Sequence, residues 1–407
     1  MRFAALRAPW FKGYLGGGSL LMGGDQVEHA ITYLAMWQLF HSPLLAGFAV
    51  VSHLLPHLLF SVTFGALADK YDGRRLIQIG AGLFILATLG WALTLGLGIL
   101  EPWMCMVLLV IHGFASAVWQ PANQVMLYDL VGAEVLPSAV RLMATGLQVG
   151  MLAGPAIGAV LLFTVGPVWG LVINALLYVP FIVYLARLPF TGHTRERRSV
   201  VRLGLGDTVR VLRELPKYPT VLALVVLQGA VAVLFGTALM PLLPAFGDVL
   251  GVGESGLGYG LLLVATAIGA VAGGLGLEAL GRIRPTLRLA VGSTIVLALS
   301  VVVFALSGSF AVALPALVVA GVASIVSGST SQSIVQLEAP DDQRGRFVGV
   351  YGTTSMGLRI ASGLLVGGLA GLAGVQLGIA IPAVVLALVA IALLAVTTRR
   401  ALRSRTE

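Results

Sequence analysis

Residues 65–75 read GALADKYDGRR, a short charged stretch set between two long apolar ones. The apolar run before it reaches back through Pro56 to about Ser42, and the run after it extends from Leu76 to about Leu97. Each exceeds the roughly 20 residues that a helix needs to cross the hydrocarbon core of a bilayer. The stretch is therefore predicted to be a tight connector at a membrane surface. Lys70, Arg74 and Arg75 assign it to the cytoplasmic side by the positive-inside rule.

The rest of the composition agrees with that reading. Of 407 residues, 58% are hydrophobic and only 10% charged, and the mean hydropathy is +0.98. A soluble domain carries about 25% charged residues, so this chain cannot cover a wetted surface and is read as a polytopic membrane protein. The net charge of +8 does not point to nucleic acid, because the basic residues recur at the ends of apolar segments. A single cysteine, Cys105, excludes an internal disulfide and a cysteine-based metal site. Arg2, Arg7 and Lys12 precede an apolar stretch as in a signal peptide, but that stretch continues to about Phe40 without a small-residue cleavage site. It is expected to be the first span.

Apolar segments fall at roughly 13–40, 43–66, 75–98, 102–127, 137–164, 168–187, 219–246, 256–280, 286–307, 310–336, 346–372 and 375–397. That predicts twelve transmembrane helices in an all-α membrane protein. Pro56, Pro155, Pro180 and Pro315 fall inside spans, which tolerate proline better than soluble helices do. Of the 25 Lys and Arg residues, 23 lie in connectors of one side; the opposite connectors hold Glu101, Asp248 and Glu254. Both termini and the central loop are therefore expected to be cytoplasmic. The expected organisation is an N-terminal six-helix bundle (1–187), a cytoplasmic linker (188–218), a C-terminal six-helix bundle (219–398) and a basic cytoplasmic tail (399–407). Within the linker, either an amphipathic surface helix around 207–215 or a solvated segment is compatible with the residues.

The two halves repeat. At an offset of 209, Gly65, Asp69 and Arg75 recur as Gly274, Glu278 and Arg284, Asp129 falls on Glu338, Gly154 on Gly363 and Gly158 on Gly367. A parallel repeat of this kind places a substrate site between the halves near the bilayer midplane.

These residues resemble a known family. GALADKYDGRR resembles the signature loop between helices 2 and 3 of the major facilitator superfamily. Gly150, Gly154, Pro155 and Gly158 resemble its helix 5 antiporter motif, G-x-x-x-G-P-x-x-G, a helix-packing element. WQPANQVMLYDLVGAEVLPSA and APDDQRGRFVGVYG are similar to the branch that holds enterobactin exporters, macrolide efflux pumps and nickel-resistance exporters. The resemblance implies two pseudo-symmetric bundles and secondary transport. The chain departs from the pattern at Asp72, where the loop usually has Gly, and at Asn123, where the branch often has Arg. It also lacks the span 4 arginine of a further drug–proton antiporter motif, with His112 standing just before Gly113.

In the signature loop, the Asp69 carboxylate is expected to cap a facing helix or pair with a base, and Arg74 or Arg75 to reach Asp129. With Gly65 and Asp72, and with Glu278, Arg282, Arg284 and Glu338 of the repeat, these residues make a candidate cytoplasmic gate. Such ion pairs form and break as that side closes and opens; their plain alternative is a role in topology alone.

The first span carries Asp25, Glu28 and His29, which share one helical face with Thr32. Intramembrane acids are costly and mark an ion or substrate path, so Asp25 and Glu28 are candidate proton-coupling residues; the plainer alternative is that Asp25 lies near the cytoplasmic end of the span and is solvated. Arg359, about a dozen residues inside span 11, shares a face with Gly363 and Gly367, a stripe suited to close helix contact. It either pairs with Asp25 or Glu28 or binds a substrate anion. Arg141, near the start of span 5, is expected to snorkel.

His29, with His112, Trp119 and Asn123 of span 4 and Ser327 and Ser331 of span 10, would line a mildly polar cavity for an amphipathic molecule. Stripes of this kind also serve as helix-packing glue. His53 and His57, i and i+4 around Pro56, could join His112 and the helix 1 acids in a transition-metal path. No histidine run or acidic tail accompanies them, hydrogen bonding within the helices accounts for them equally, and no metal ligand or cofactor is assigned.

The chain contains no HExxH, phosphate-loop lysine or paired acids on a soluble domain, so an enzyme is not expected. The expected protein is a monomeric secondary transporter of a bacterial inner membrane. It would export an amphipathic or hydrophobic small molecule, drug-like compound or siderophore, with protons as coupling ion, by alternating access. Alternatives are a divalent metal or metal-chelate exporter and, in another class, an uncoupled lipid flippase or transporter-like sensor.

Overall fold

The computed structural model describes residues 4–132, 134–192, 213–251, 257–279, 285–339 and 344–403. Among them there is no β-strand. The helices are α1 Phe11–Phe40, α2 Pro43–Lys70, α3 Gly73–Gly96, α4 Pro102–Val131, α5 Leu136–Arg187, α6 Pro219–Leu234, α7 Leu239–Val249, α8 Leu257–Ala279, α9 Leu287–Leu306, α10 Phe310–Glu338, α11 Arg344–Gly357, α12 Arg359–Ala373 and α13 Val375–Arg403. Among the described residues, each of the twelve predicted spans is taken up by helix, in some cases by a broken one. Eight helices among the described residues are long and apolar enough to cross a bilayer, nine when the bent pair α6 and α7 is counted as one. The proposed surface helix around 207–215 falls largely outside the described residues; Leu215–Lys217 forms a 3-10 turn.

Three spans depart from simple rods. Spans 5 and 6 run together as α5, which turns at Gly166 (φ 79°, ψ 172°) just before Pro167; only glycine takes that backbone conformation without penalty. Span 7 bends by 48° between α6 and α7, where Gly236 adopts φ 44° and packs against Ser362. Span 11 breaks at Leu358, so Arg359 is the first residue of α12 rather than an interior residue of one continuous helix. Caps mark the ends: Asp72 accepts the Arg74 N–H at the start of α3, and Thr286 and Ser309 accept from Leu289 and Ala311 at the starts of α9 and α10.

The chain divides into two compact units. The first takes in the described residues of Met1–His41, Val51–Val200 and Ser255–Gly260. Its core contains Phe11, Tyr14, Phe84, Trp119, Met126, Tyr178 and Phe181. Here α1 lies on α5 through the predicted glycine motif. A Cβ on Gly150 would lie 2.9 Å from the Gly23 nitrogen, one on Gly154 2.6 Å from the Gly23 carbonyl, and one on Gly158 2.8 Å from the Ala30 Cβ. Backbones this close require glycine, and the motif therefore serves as the platform for α1.

The second unit takes in the described residues of Ser42–Val50, Val201–Glu254 and Leu261–Glu407. One of its core clusters is built on Leu224, Val291, Val335, Phe347 and Tyr351. Gly363 and Gly367 lie against Gly47, so the small-residue stripe is spent on close packing.

Candidate functional site

Because Gly23, Gln26, Val27 and Ala30 of α1 face α5, the 3.6-residue period turns Asp25, Glu28, His29 and Thr32 to another side of the helix. All four are buried in the first unit, Asp25 and Glu28 to 3% and 2% exposure. There they meet α2, α3 and α4. His112 of α4 is the centre of the meeting: its Nε2 lies 2.7 Å from Asp25 Oδ1 and its Nδ1 2.9 Å from Glu28 Oε1. The other oxygens are also held. Gln26 donates to Asp25 Oδ2 at 2.7 Å, and the Thr88 hydroxyl of α3 donates to Glu28 Oε2.

Two further imidazoles complete the cluster. His29 Nδ1 is 3.7 Å from Asp25 Oδ2. The His29 ring centroid is 4.6 Å from that of His112 and 5.2 Å from that of His53, and His53 is 5.4 Å from His112. His53 is brought in by Gly113, which lies in direct contact with the Ser52 carbonyl and would place a Cβ 3.1 Å from Pro56 Cγ. Phe84 closes the cluster edge-on, 4.8 Å from His112, and stacks on Tyr178 at 5.5 Å. His57, one turn further along α2, is only half-buried and is not among the residues whose ligand atoms converge.

This arrangement constrains protons. A neutral imidazole has one N–H, so it can donate to only one of two carboxylates. Both contacts of His112 are hydrogen bonds only if the Asp25–His112–Glu28 triad holds two protons, either as an imidazolium between two carboxylates or as an imidazole donating to one and accepting from a carboxylic acid. Both forms carry a net charge of −1. The two protons can therefore redistribute among the three groups along these two contacts without moving a helix.

The other predicted residues have other surroundings. Trp119 lies in the apolar core of the first unit, its Cβ against Gly80 and its Nε1 without a partner. Asn123 accepts from the Tyr14 hydroxyl at 2.7 Å. In the second unit Ser327 shares a 2.6 Å hydrogen bond with Thr294, and Ser331 is fully buried. Arg359 also belongs to that unit, and its Nε donates to the Ser355 carbonyl at 2.9 Å. The helix 1 acids, which sequence alone leaves as partners for Arg359, are each held by His112. Thr88 and Gln26 carry no sequence signal beyond being polar residues in apolar spans.

Around the signature loop, Arg74 pairs with Asp72 at 2.7 Å and donates to the Leu188 carbonyl at 2.5 Å. The Gly73 N–H donates to the Thr191 carbonyl at 2.7 Å, and buried Asp129 accepts the Gly192 N–H at 2.9 Å. The stretch Leu188–Gly192 thus straps the loop to the end of α4. Gly65 has open space around it, and Arg75 and Glu338 are exposed. Burial tends to raise the Asp72 carboxyl, but the hydrogen bonds and charge of Arg74, with Arg75, outweigh it and hold the group below the usual carboxylate range. The side chains of Asp69, Arg141 and Glu278, and residues Arg282 and Arg284, lie outside the described set.

Residues 21–405 match the model of the family described as transmembrane secretion effector. The enterobactin exporter EntS of Salmonella typhimurium is 25% identical over 375 residues, covering 90% of this chain and 85% of the exporter. The staphyloferrin A transporter of Staphylococcus aureus is 31% identical over 124 residues, 30% of this chain and 31% of that protein. Among solved structures, the nucleoside transporter NupG superposes with a TM-score of 0.70 at 14% identity, covering 95% of this chain and 98% of that one. A bacterial homolog of the human lysosomal transporter Spinster gives 0.70 at 15% identity over 95% and 96%.

Proposed function

The chain belongs to the transmembrane secretion effector family of the major facilitator superfamily, and on that premise we propose that it exports a siderophore-like amphipathic small molecule in exchange for protons. Two siderophore transporters are among its relatives, one matched along most of its length. The observation that carries proton coupling is the bridge His112 makes between Asp25 and Glu28. A coupling group must gain and lose a proton at modest cost inside the membrane. A triad that shares its protons among three adjacent groups meets that requirement, whereas an isolated buried acid pays the full desolvation penalty each time it ionises.

Transport proceeds by alternating access between the bundle of residues 1–187 and that of 219–398, joined by the linker 188–218. Both termini face the cytoplasm, as the Lys and Arg distribution favours, and the working unit is a monomer in the cell membrane. Asp69, Asp72, Arg74, Arg75 and Asp129 act as the cytoplasmic gate, with Gly65 sparing room beside them and Glu278, Arg282, Arg284 and Glu338 as the repeat's counterpart. Asp72 and Arg74 hold the loop in one state through the Leu188–Gly192 strap. His29, Trp119, Asn123, Ser327, Ser331 and Arg359 contribute to the substrate path, Arg359 as partner of an anionic substrate group.

The test is efflux of a panel of catecholate and carboxylate siderophores and amphipathic dyes from cells, and uptake into inverted vesicles, with and without an imposed proton gradient. Gradient-stimulated transport of a siderophore is the expected result. Transport of no panel member, or transport indifferent to the gradient, refutes the reading.

A further inference from the structure

The cluster around His112 contains more ligating atoms than proton transfer uses. Asp25, His29, His53 and His112 each offer one donor atom, and these four atoms lie within 4.8 Å of one another. His53 Nδ1 is shut off from solvent and has no hydrogen-bond partner, although a buried polar nitrogen ordinarily has one. We propose that these four side chains form a binding site for one divalent transition-metal ion of the zinc, cobalt or nickel class.

The donor set fits that class. Three imidazoles and one carboxylate suit zinc, nickel and cobalt, whereas calcium and magnesium prefer all-oxygen sites and copper(I) prefers sulfur. Donors on a tetrahedral ion with bonds of about 2.0–2.1 Å stand roughly 3.4 Å apart, so the cluster, spread over as much as 4.8 Å, must contract by up to about 1.4 Å across its widest pair. Side-chain rotation of His29 and His53 supplies that, since neither ring is held at both nitrogens by the bonds described above.

Glu28 has a separate part. Metal-bound histidines usually donate their other N–H to a carboxylate, which sets the tautomer and the ring orientation. His112 already has Glu28 at Nδ1, and Glu28 is itself held by Thr88. With the proton on Nδ1, the Nε2 lone pair points at the Asp25 side of the cluster, where the ion would sit. Binding exchanges one triad proton for the ion. The triad then keeps one proton and a charge of −2, which the divalent ion neutralises. A buried cluster at −1 becomes neutral, and low-dielectric surroundings favour that change.

The site reuses the residues of the proposed coupling triad, but its occupancy can be read without transport, so the two readings can fail separately. Purified full-length protein in nanodiscs, stripped with chelator, is titrated with Co2+ while visible absorption is recorded, then with Zn2+ as competitor. One equivalent of Co2+ with intense tetrahedral-type bands, displaced by Zn2+, is expected. His53→Ala should weaken binding at least tenfold, and Glu28→Gln, which keeps all four donors, by 10- to 100-fold. His57→Ala should bind as the parent does. If His53→Ala does not fold, as judged by gel filtration and circular dichroism, His53→Gln or His29→Gln serves instead. No saturable 1:1 binding by the folded parent overturns the proposal, and so does binding unaffected by the folded His53 or His29 variant.

Discussion

Gly113 sits in direct contact with the backbone carbonyl of Ser52, with no room for a side chain between the two helices. That contact brings α2 against α4 where His53 meets His112, and so it positions one whole side of the buried cluster. Gly113→Val should force the helices apart and lower stability by about 1–3 kcal/mol, the usual cost of overpacking. Thermal unfolding in nanodiscs reads the loss; an unchanged midpoint would mean that α2 moves aside freely.

Removing the centre of the triad has a sharper expected cost. His112→Phe leaves Asp25 and Glu28 buried near one another with no group between them. Breaking a buried charge pair in this way costs about 3–5 kcal/mol. The double variant His112→Phe with Asp25→Asn, which removes one of the two charges, should recover part of that stability. A double variant no more stable than the single one would show that the triad is not held by charge.

Coupling and binding can be separated at Asp25 and Glu28. Asp25→Asn and Glu28→Gln should each cut gradient-driven export at least tenfold while substrate exchange across the membrane without a gradient persists. Counterflow in reconstituted vesicles makes the comparison. Equal loss of both activities would place these acids in substrate binding or folding rather than coupling.

Thr88 supports Glu28 from α3. Thr88→Val keeps the shape and removes the hydroxyl, leaving a carboxylate oxygen short of a donor. The expected destabilisation is about 1–3 kcal/mol, read by thermal unfolding. The paired Glu28→Gln background should show a smaller effect, since no charged acceptor is then left.

At the membrane surface, Asp72 caps α3 and pairs with Arg74. Asp72→Asn retains a capping residue but loses the charge, so the destabilisation at neutral pH should be modest, a few tenths of a kcal/mol to about 1. The Asp72 carboxyl titrates below its usual range when folded. Its contribution is therefore full above the ordinary aspartate pKa and is lost as pH falls through the lower folded value. The difference in unfolding temperature between parent and variant should stay level from neutral pH down to about 5 and shrink in stronger acid. A difference that instead grew on acidification would contradict the pairing.

Much of this was already visible in one dimension. Spans are set by apolar length against bilayer thickness, so the twelve segments and the all-α fold follow from counting residues. The glycines at 150, 154 and 158 likewise announce a close helix contact, and they make one with α1. The helical period also placed Asp25, Glu28 and His29 on one face, because that spacing is a local property of α1. What they face is not local. His53, Thr88 and His112 come from three other helices, 24 to 87 residues away in sequence from Asp25 and His29, and no spacing rule links them. Their convergence depends on how closely the backbones approach at Gly113, Gly150 and Gly154, which only the packed bundle decides. The same holds for Arg359: sequence showed a charge inside an apolar span, while the structure put it at a helix break with its Nε on the Ser355 carbonyl. Chain length and hydrophobicity determined that this protein crosses a membrane; side-chain volume at a few glycines determined that three histidines and two acids share one buried site.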